Sequence, residues 1–161
     1  MGNACIVEMQ ARKNENLKGE VNLDKRYSIF VSSTQRDLSE HREKVITSIN
    51  RKGHIPIAME FFPADYRNNI EFVRDKIEEC DIFILLHGTN IGHKLPDGSH
   101  FVQFEYETAV NFDKKIIRFL CDATEFQKGE RSKEAENFRN RVLNDGSISD
   151  FFRMENAEDL S

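Results

Sequence analysis

The sequence predicts an α/β domain in three layers, with a parallel sheet of four to five strands and helices on both faces of the sheet. Apolar runs of strand length alternate along the chain with segments whose apolar residues recur at helical spacing. Strands that are separated by helices pair in parallel through right-handed crossovers. Residues 82–86 form the most apolar run in the chain, so we expect this strand at the centre of the sheet.

Each predicted element follows from its own pattern of residues. The strands are expected at 27–31, 55–59, 82–86, 115–120 and 148–152. Four helices lie between them, and Gly53 ends the first one. Their inner faces carry Leu38, Val45 and Ile49 in the first, Ile70, Val73, Ile77 and Cys80 in the second, Val102, Tyr106, Ala109 and Val110 in the third, and Ala135, Phe138 and Val142 in the last, over 131–144.

The chain divides into an arm and one domain. Residues 1–25 are polar and show no sustained period, so we expect an N-terminal arm there and a single domain over 26–161. Asn156, followed by Ala, Glu and Asp159, is typical of a capped helix start. A helix needs more than one turn to be stable, so we expect the chain to be the N-terminal part of a longer protein.

Composition argues against several classes of partner. The net charge is -5 and the basic residues are interspersed with acidic ones, so no surface for nucleic acid is expected. No run approaches the roughly 18 apolar residues of a membrane span. Cys5, Cys80 and Cys121 lack the spacing of metal ligands, which favours a cytoplasmic protein with free thiols and no metal site.

A ligand crevice is expected at the carboxyl ends of the strands, where the strand order reverses. The first strand ends in Ser32, Ser33 and Thr34, and the second is followed by Glu60. The third opens into a glycine loop over 87–100 that contains Gly88 and Asn90. We predict that these six residues bind a nucleotide.

The hydroxyl-rich turn has two interpretations. Thr34 and Asp37 have the spacing of a capping box, in which the Thr34 hydroxyl accepts a backbone N–H at the start of the helix. Alternatively, the hydroxyl and N–H groups of Ser33 and Thr34 bind a phosphate or a ribose, which the helix dipole favours. Both interpretations can hold for different residues of the turn.

The remaining polar residues near the crevice also have structural alternatives. Glu60 is suited to ribose hydroxyls, or to an ion pair with Arg67 or Arg36 that holds loops together. His87 and His93 are interpreted as loop residues, because no Cys or carboxylate nearby completes a metal site. Asp97 and Gly98 are typical of a turn.

Glu105 is the candidate catalytic residue. It lies near the start of the third helix, between aromatic residues and just after the glycine loop. A partly desolvated carboxylate there is suited to stabilise positive charge on a ribosyl carbon or to act as a base. The alternative is an acidic residue that merely favours a helix N-terminus.

Several short motifs occur together in one order along residues 27–120. They are Phe30-Val-Ser-Ser-Thr34, Asp37-Leu38, Glu40 with Arg42, Gly53-His-Ile-Pro56, Met59-Glu-Phe61, Cys80-Asp81, Asp97-Gly98 and Glu105-Tyr106 with Ala109. This set closely resembles a TIR-like family of unknown function, whose members are commonly found at the N-terminus of NACHT- or NB-ARC-type STAND ATPases. The resemblance implies a flavodoxin/TIR-like fold similar to nucleoside 2-deoxyribosyltransferases.

The resemblance also implies a site. Those transferases use a helix-borne glutamate at an N-glycosidic bond, and the pattern from Phe101 to Glu105 is where that glutamate would fall, with Tyr106 beside it in the ligand site. Relatives often carry an arginine and an aromatic residue in the glycine loop, where this chain has Asn90 and Ile91. The anion contact of that arginine is therefore not expected from this loop.

Three functions from different classes follow. The first is an effector domain that binds NAD or a related nucleotide, as substrate and not as cofactor, and cleaves its N-glycosidic bond in defence or stress signalling. In that case the phosphates are expected toward Ser32 and Ser33, and the glycosidic carbon toward Glu105. The second is a non-catalytic module that self-associates when a neighbouring ATPase oligomerises. The third is a sensor that binds a nucleotide signal without turnover.

Overall fold

The computed structural model describes residues 25–34, 36–66, 69–128, 132–146 and 148–160. The strands are β1 (Ser28–Ser33), β2 (Ile55–Ile57), β3 (Ile82–His87), β4 (Lys115–Cys121) and β5 (Asp150–Phe152). The α-helices are α1 (Ser39–Arg51), α2 (Ile70–Glu79), α3 (Phe101–Asn111), α4 (Ala123–Lys128) and α5 (Lys133–Asp145). Short 3-10 helices span Met59–Phe61, Ala64–Tyr66 and Ala157–Leu160.

The five strands form one sheet in the order β2-β1-β3-β4-β5, and every neighbouring pair is parallel. The predicted α/β fold is therefore confirmed. β3 is the middle strand, and its residues from Phe83 to His87 are buried, as its apolar run predicted. The chain leaves β1 toward one edge of the sheet and leaves β3 toward the other, so the loops after these two strands diverge and open a crevice between them.

Helices lie on both faces of the sheet. α1 packs against β1 and β2, while α2 packs against α3. Tyr106 of α3 contacts the ring of Phe138 in α5, so these helices share the second face. Within the sheet, the rings of Phe30 and Phe83 stack at 5.5 Å between centroids, which ties β1 to β3 at the centre of the core.

Two helix positions that we expected to face inward are exposed. Ile70 is 37% exposed because it is the first residue of α2, directly after Asn69, whose side chain accepts the N–H of Phe72 and caps the helix. Val110 is 40% exposed, whereas its neighbour Ala109 is fully buried. Successive helical residues point about 100° apart, so these two side chains cannot both face the sheet.

Several element boundaries also differ from the predicted ones. β1 continues through Ser32 and Ser33, so these hydroxyl residues end the strand instead of beginning the loop. β2 stops at Ile57, and a 3-10 turn follows. The short helix α4 was not predicted, because six residues are too few to show an apolar period.

The C-terminal segment, which we define as residues 153–160, packs on α1. His41 of α1 donates its Nε2–H to the carbonyl oxygen of Arg153 at 2.9 Å. Lys44 forms an ion pair with Glu158 on the surface above it. The expected cap is present, since Asn156 Oδ1 accepts the N–H of Glu158 at 3.2 Å, but a single 3-10 turn follows.

No helix in the described ranges has the length and apolar character that crossing a membrane requires. Cys80 and Cys121 are buried free thiols, and Cys5 lies outside the described residues with the predicted N-terminal arm.

Candidate functional site

A cleft of about 480 Å³ lies at the carboxyl ends of β1 and β3, where the strand order reverses. One side is formed by Ser33 and Thr34 from the end of β1. The opposite side is formed by the loop after β3, through Asn90, Gly92 and His93. The cleft therefore lies where the topology predicts a ligand site, and its volume is within the usual range for small-molecule pockets, roughly 300 to 1,000 Å³.

Arg42 of α1 forms the most extensive hydrogen-bond network of the cleft. Its Nε and one terminal nitrogen donate to the two carboxylate oxygens of Glu60, each at 2.7 Å. The other terminal nitrogen donates to Ser33 Oγ at 2.8 Å and to the carbonyl oxygen of Val31 at 3.3 Å. Only 2% of the Arg42 side chain is exposed. A guanidinium that donates four hydrogen bonds in this way fixes the end of β1 against the turn after β2.

Arg36 contributes a second guanidinium to the cleft, in a different state. It lies in the turn between β1 and α1, and its side chain is exposed. Within the described residues it forms no ion pair or hydrogen bond. Its positive charge is therefore available at the mouth of the cleft.

The third wall of the cleft is apolar. Phe101 and Val102 at the start of α3 and Met59 after β2 contribute it. The Phe101 ring lies nearly parallel to the His93 ring, 5.2 Å away between centroids. Flat aromatic surfaces of this kind are suited to stack against a planar heterocycle.

Glu105 belongs to the same helix as Phe101 and Val102 of this apolar wall. It follows Phe101 by one helical turn on α3, and it is only 2% exposed. Ser32 Oγ donates a hydrogen bond of 2.6 Å to Glu105 Oε2, which links α3 to the end of β1. The carboxyl group is thus fixed beside the cleft but does not line it.

Burial sets the protonation behaviour of this carboxyl group. Loss of hydration raises the pKa of Glu105 from 4.5 to about 7, and the negative charge of Glu60 adds to the rise. The hydrogen bond from Ser32 and the charge of Arg42 lower the pKa, although they do not offset the burial. A carboxyl group with a pKa near 7 exchanges protons readily at neutral pH, as catalytic acids and bases do.

The structure brings some of the predicted ligand residues together and separates others. Ser33, Thr34 and Asn90 line the cleft. Ser32, the residue before Ser33, does not line the cleft and is hydrogen-bonded to Glu105. Glu60 does not line the cleft either, but it is paired with Arg42, which does. Their roles as ligand contacts stay predictions.

Gly88 and Tyr106 do not line the cleft. A Cβ atom at Gly88 would lie 2.9 Å from Asp37 Oδ2, so this glycine lets the loop after β3 pass under the turn before α1. Tyr106 is fully buried between α3 and α5, where its ring contacts Phe138. Its hydroxyl accepts a hydrogen bond from Arg118 Nε at 3.0 Å. The structure gives both residues packing functions.

The predicted capping role of Thr34 is wrong. α1 begins at Ser39 after Leu38, which has no side chain that can cap, and the Thr34 hydroxyl instead donates to the carboxylate of Asp37. Residues 36–38 form a turn before the helix, and no side-chain hydrogen bond caps the start of α1. The Glu60 ion pair is with Arg42 and not with Arg36, while Arg67 lies outside the described residues.

His87 is a buried core residue rather than a loop residue. It ends β3, and its ring contacts Phe126 and Phe138. Burial and the nearby charge of Arg139 lower the pKa of His87 to about 4, so it is neutral at physiological pH.

Within the described ranges no three His, Cys, Asp or Glu side chains lie close enough to hold a metal ion. The predicted turn at Asp97 and Gly98 is confirmed by the hydrogen bond from the Gly98 N–H to the Leu95 carbonyl, 2.9 Å long.

Arg42 and Arg36 were not predicted as site residues, although the position of Arg42 in the helical pattern of the sequence could have indicated it. Arg42 falls between Leu38 and Val45 on the buried face of α1, where an unpaired charge would be costly. A charged residue at a core position of an amphipathic helix indicates a buried ion pair or a site. Arg36 lies in a turn, and no periodicity distinguishes it.

The chain is similar to a solved structure and matches a family model. A solved structure of a Clostridium botulinum CMP N-glycosidase, BcmB, matches with 20% identity and a TM-score of 0.48, covering 81% of this chain and 91% of that one. Similarity at this level does not transfer a substrate. No curated protein sequence matches the chain. The family model of a domain of unknown function, DUF4062, matches residues 28–161. The predicted membership is thereby confirmed: the chain belongs to the DUF4062 family of domains of unknown function.

Proposed function

We propose that the domain binds a nucleotide in the cleft and hydrolyses its N-glycosidic bond, with Glu105 as the catalytic residue. The observation that carries this proposal is the buried pair of Ser32 and Glu105, joined by a 2.6 Å hydrogen bond beside the cleft. Burial raises the pKa of Glu105 to about 7, and groups with strongly shifted pKa values beside a cleft are typical of functional sites.

The chemistry needs one carboxyl group in two protonation states. When the bond between the ribosyl carbon and the base breaks, the base leaves with the electron pair and the carbon gains cationic character. Ionised Glu105 would stabilise that charge more in the transition state than in the ground state. A water oxygen then bonds to the carbon, and its proton passes to Glu105, whose pKa near 7 lets it accept the proton and release it to solvent.

The proposal requires a movement of the apolar wall. Phe101 and Val102 line the cleft, whereas the side chain of Glu105, one turn further along α3, is buried and does not. The loop before them is attached through His100, whose Nδ1–H donates to the Gly92 carbonyl at 3.0 Å. Ligand binding would therefore have to shift the start of α3 together with this loop. Loop movements that complete a catalytic site are common in enzymes.

NAD is the first substrate to test. Its nicotinamide leaves as a neutral molecule, so the leaving group needs no proton, and ionised Glu105 suffices. A role in defence or stress signalling, and attachment to a STAND ATPase, are part of the same proposal and rest on the family resemblance. Self-association through the domain or its neighbour would then control the activity.

The burial of Glu105 favours a second candidate, a sensor that binds a nucleotide without turnover. A side chain that is 2% exposed does not contact a ligand unless the wall moves. In that case the Ser32 bond to Glu105 would only hold α3 against the end of β1.

Base release from intact nucleotides separates these functions. The protein would be incubated with NAD and with the four ribonucleoside 5′-monophosphates, at dilute and at concentrated protein, and free base would be measured by chromatography. We expect release with wild type and a loss of at least a hundredfold with Glu105→Gln. Glu136→Gln on α5, at an exposed position, is the matched control and should be fully active. Equal rates for wild type and Glu105→Gln would refute the catalytic role, and binding without release would favour the sensor.

A further inference from the structure

The two arginines of the cleft differ in how far their charge is already compensated. Both oxygens of Glu60 bind Arg42 at 2.7 Å, and Arg42 also donates to Ser33. Four of its five N–H groups are thus engaged and only 2% of its side chain is exposed, so Arg42 offers little to a second anion. Arg42 is therefore a structural cation of the site and not its free anion receptor.

Arg36 is the uncompensated cation of the cleft. Its exposed side chain has no ion-pair or hydrogen-bond partner in the described part of the chain, and no carboxylate from that part lines the cleft. The cleft is thus positive in a protein whose net charge is -5. A local potential of the opposite sign to the whole molecule attracts an anionic ligand to the cleft.

The hydroxyl groups at the end of β1 are not free to donate to that anion. The single hydrogen of the Ser33 hydroxyl goes to the Thr34 carbonyl at 3.1 Å, and that of Thr34 goes to Asp37. An ionised phosphate accepts hydrogen bonds and donates none. These hydroxyls therefore suit ribose O–H donors, so the expected placement of phosphates toward Ser33 does not fit the hydrogen bonds.

Asn90 supplies the second free donor. Its Oδ1 accepts the Gly92 N–H at 3.0 Å, which fixes the orientation of the amide and leaves both Nδ2 hydrogens for a ligand. The two loops meet beside it, since a Cβ atom at Gly92 would lie 3.2 Å from Thr34 Cγ2. Asn90 and Arg36 each lie two residues from this contact, on either side of the cleft.

We infer that the cleft recognises the 5′-phosphate of a nucleotide, and that Arg36 and Asn90 are the residues that bind it. This inference rests on the proposed function, which it deepens by assigning the ends of the ligand. The ribose then lies against Ser33 and Thr34, and the base lies on the apolar wall of Met59 and Phe101. The loop after β3 has Asn90 where relatives often carry an arginine, and its Lys94 pairs with Glu134, so Arg36 provides the positive charge of the cleft from the turn after β1.

Calorimetric titration of matched pairs tests the inference. The pairs are the four ribonucleoside 5′-monophosphates with their nucleosides, and nicotinamide mononucleotide with nicotinamide riboside. The full chain would carry Glu105→Gln so that no ligand is consumed. We expect at least one phosphorylated member to bind tenfold or more tightly than its nucleoside, and this preference to shrink at high salt. Arg36→Ala should remove the preference without weakening the nucleoside, and Arg36→Lys should keep part of it.

The control is Arg51→Ala, at an exposed arginine near the far end of α1, which should leave the preference unchanged. Asn90→Ala should reduce it. Equal affinities within every pair, or an equal loss for both members in Arg36→Ala, would overturn the inference while leaving base release as the test of the proposed function. Absence of binding by every compound would also overturn the inference, and base release from NAD, which is not among these compounds, would still decide the proposed function.

Discussion

Replacing Glu105 by Gln should change how the stability of the domain depends on pH. The pKa of Glu105 is about 7 in the folded protein, compared with 4.5 without the fold. Between these pH values the folded state holds a proton that the unfolded state has lost, so the free energy of unfolding falls as pH rises. This difference in pKa corresponds to about 3 kcal/mol of unfolding free energy that is lost from pH 4.5 to pH 7.

His87 opposes this trend over almost the same range. Its pKa falls from 6.5 to about 4 on folding, so between these values the unfolded state holds the extra proton. The contribution of His87 to stability therefore rises by about 3 kcal/mol as pH increases from 4 to 6.5. In the wild type the two groups nearly cancel between pH 4.5 and pH 6.5.

Glu105→Gln removes one of the two opposing contributions. The variant should gain about 3 kcal/mol relative to wild type as pH rises from 4.5 to 7, as measured by urea unfolding at fixed ionic strength. The buried amide of Gln adds a constant offset of about 1 to 3 kcal/mol, so the slope against pH is the quantity to compare. Glu136→Gln is again the matched control. A difference between Glu105→Gln and wild type that stays constant across pH would refute the buried, uncompensated carboxyl group.

Three further substitutions test the supporting contacts. Gly88→Ala should destabilise the domain by about 1 to 3 kcal/mol, since its Cβ would meet Asp37 Oδ2 at 2.9 Å; a neutral result in thermal unfolding would show that this loop can shift. Thr34→Ala should lower the free energy of unfolding by about 1 to 3 kcal/mol in thermal unfolding, because Asp37 loses its hydroxyl donor. The other oxygen of Asp37, Oδ2, already lacks a partner among the described residues. Thr34→Ser keeps the hydroxyl and should be close to wild type. Glu60→Gln should cost about 2 kcal/mol in urea unfolding, less than a fully buried pair because a third of the Glu60 side chain is exposed; no loss would mean that Arg42 is held by its other acceptors.

The fold was predictable because it follows from periodicity and connection rules. The apolar run of β3 indicated the central strand, and the alternation of elements indicated parallel pairing. The crevice rule then selected the ends of β1 and β3, which placed Ser33, Thr34 and Asn90 at the cleft. The strand order and the position of the cleft thus follow from local sequence patterns together with the connection rules of a parallel sheet.

The details of the site depend on tertiary contacts that no local pattern carries. Arg42 pairs with Glu60 because β2 lies beside β1, which places the turn after β2 next to the inner face of α1. Thr34 fails as a cap because the turn before α1, and not the capping spacing, sets where the helix begins. Full burial of Glu105 follows from the packing of α3 against the end of β1, where Ser32 meets it.

Helix α1 connects two parts of the molecule through neighbouring residues. His41 holds the carbonyl oxygen of Arg153 in the C-terminal segment, and the next residue, Arg42, holds Ser33 and Glu60 at the cleft. A ligand whose binding shifted α1 would therefore also disturb the docking of the C-terminal segment. By thermodynamic reciprocity, a partner that bound residues 153–160 and shifted α1 would change the affinity of the cleft for its ligand by the factor by which that ligand changes the affinity for the partner. Helix α1 would then couple occupancy of the cleft to contacts made by the C-terminal segment.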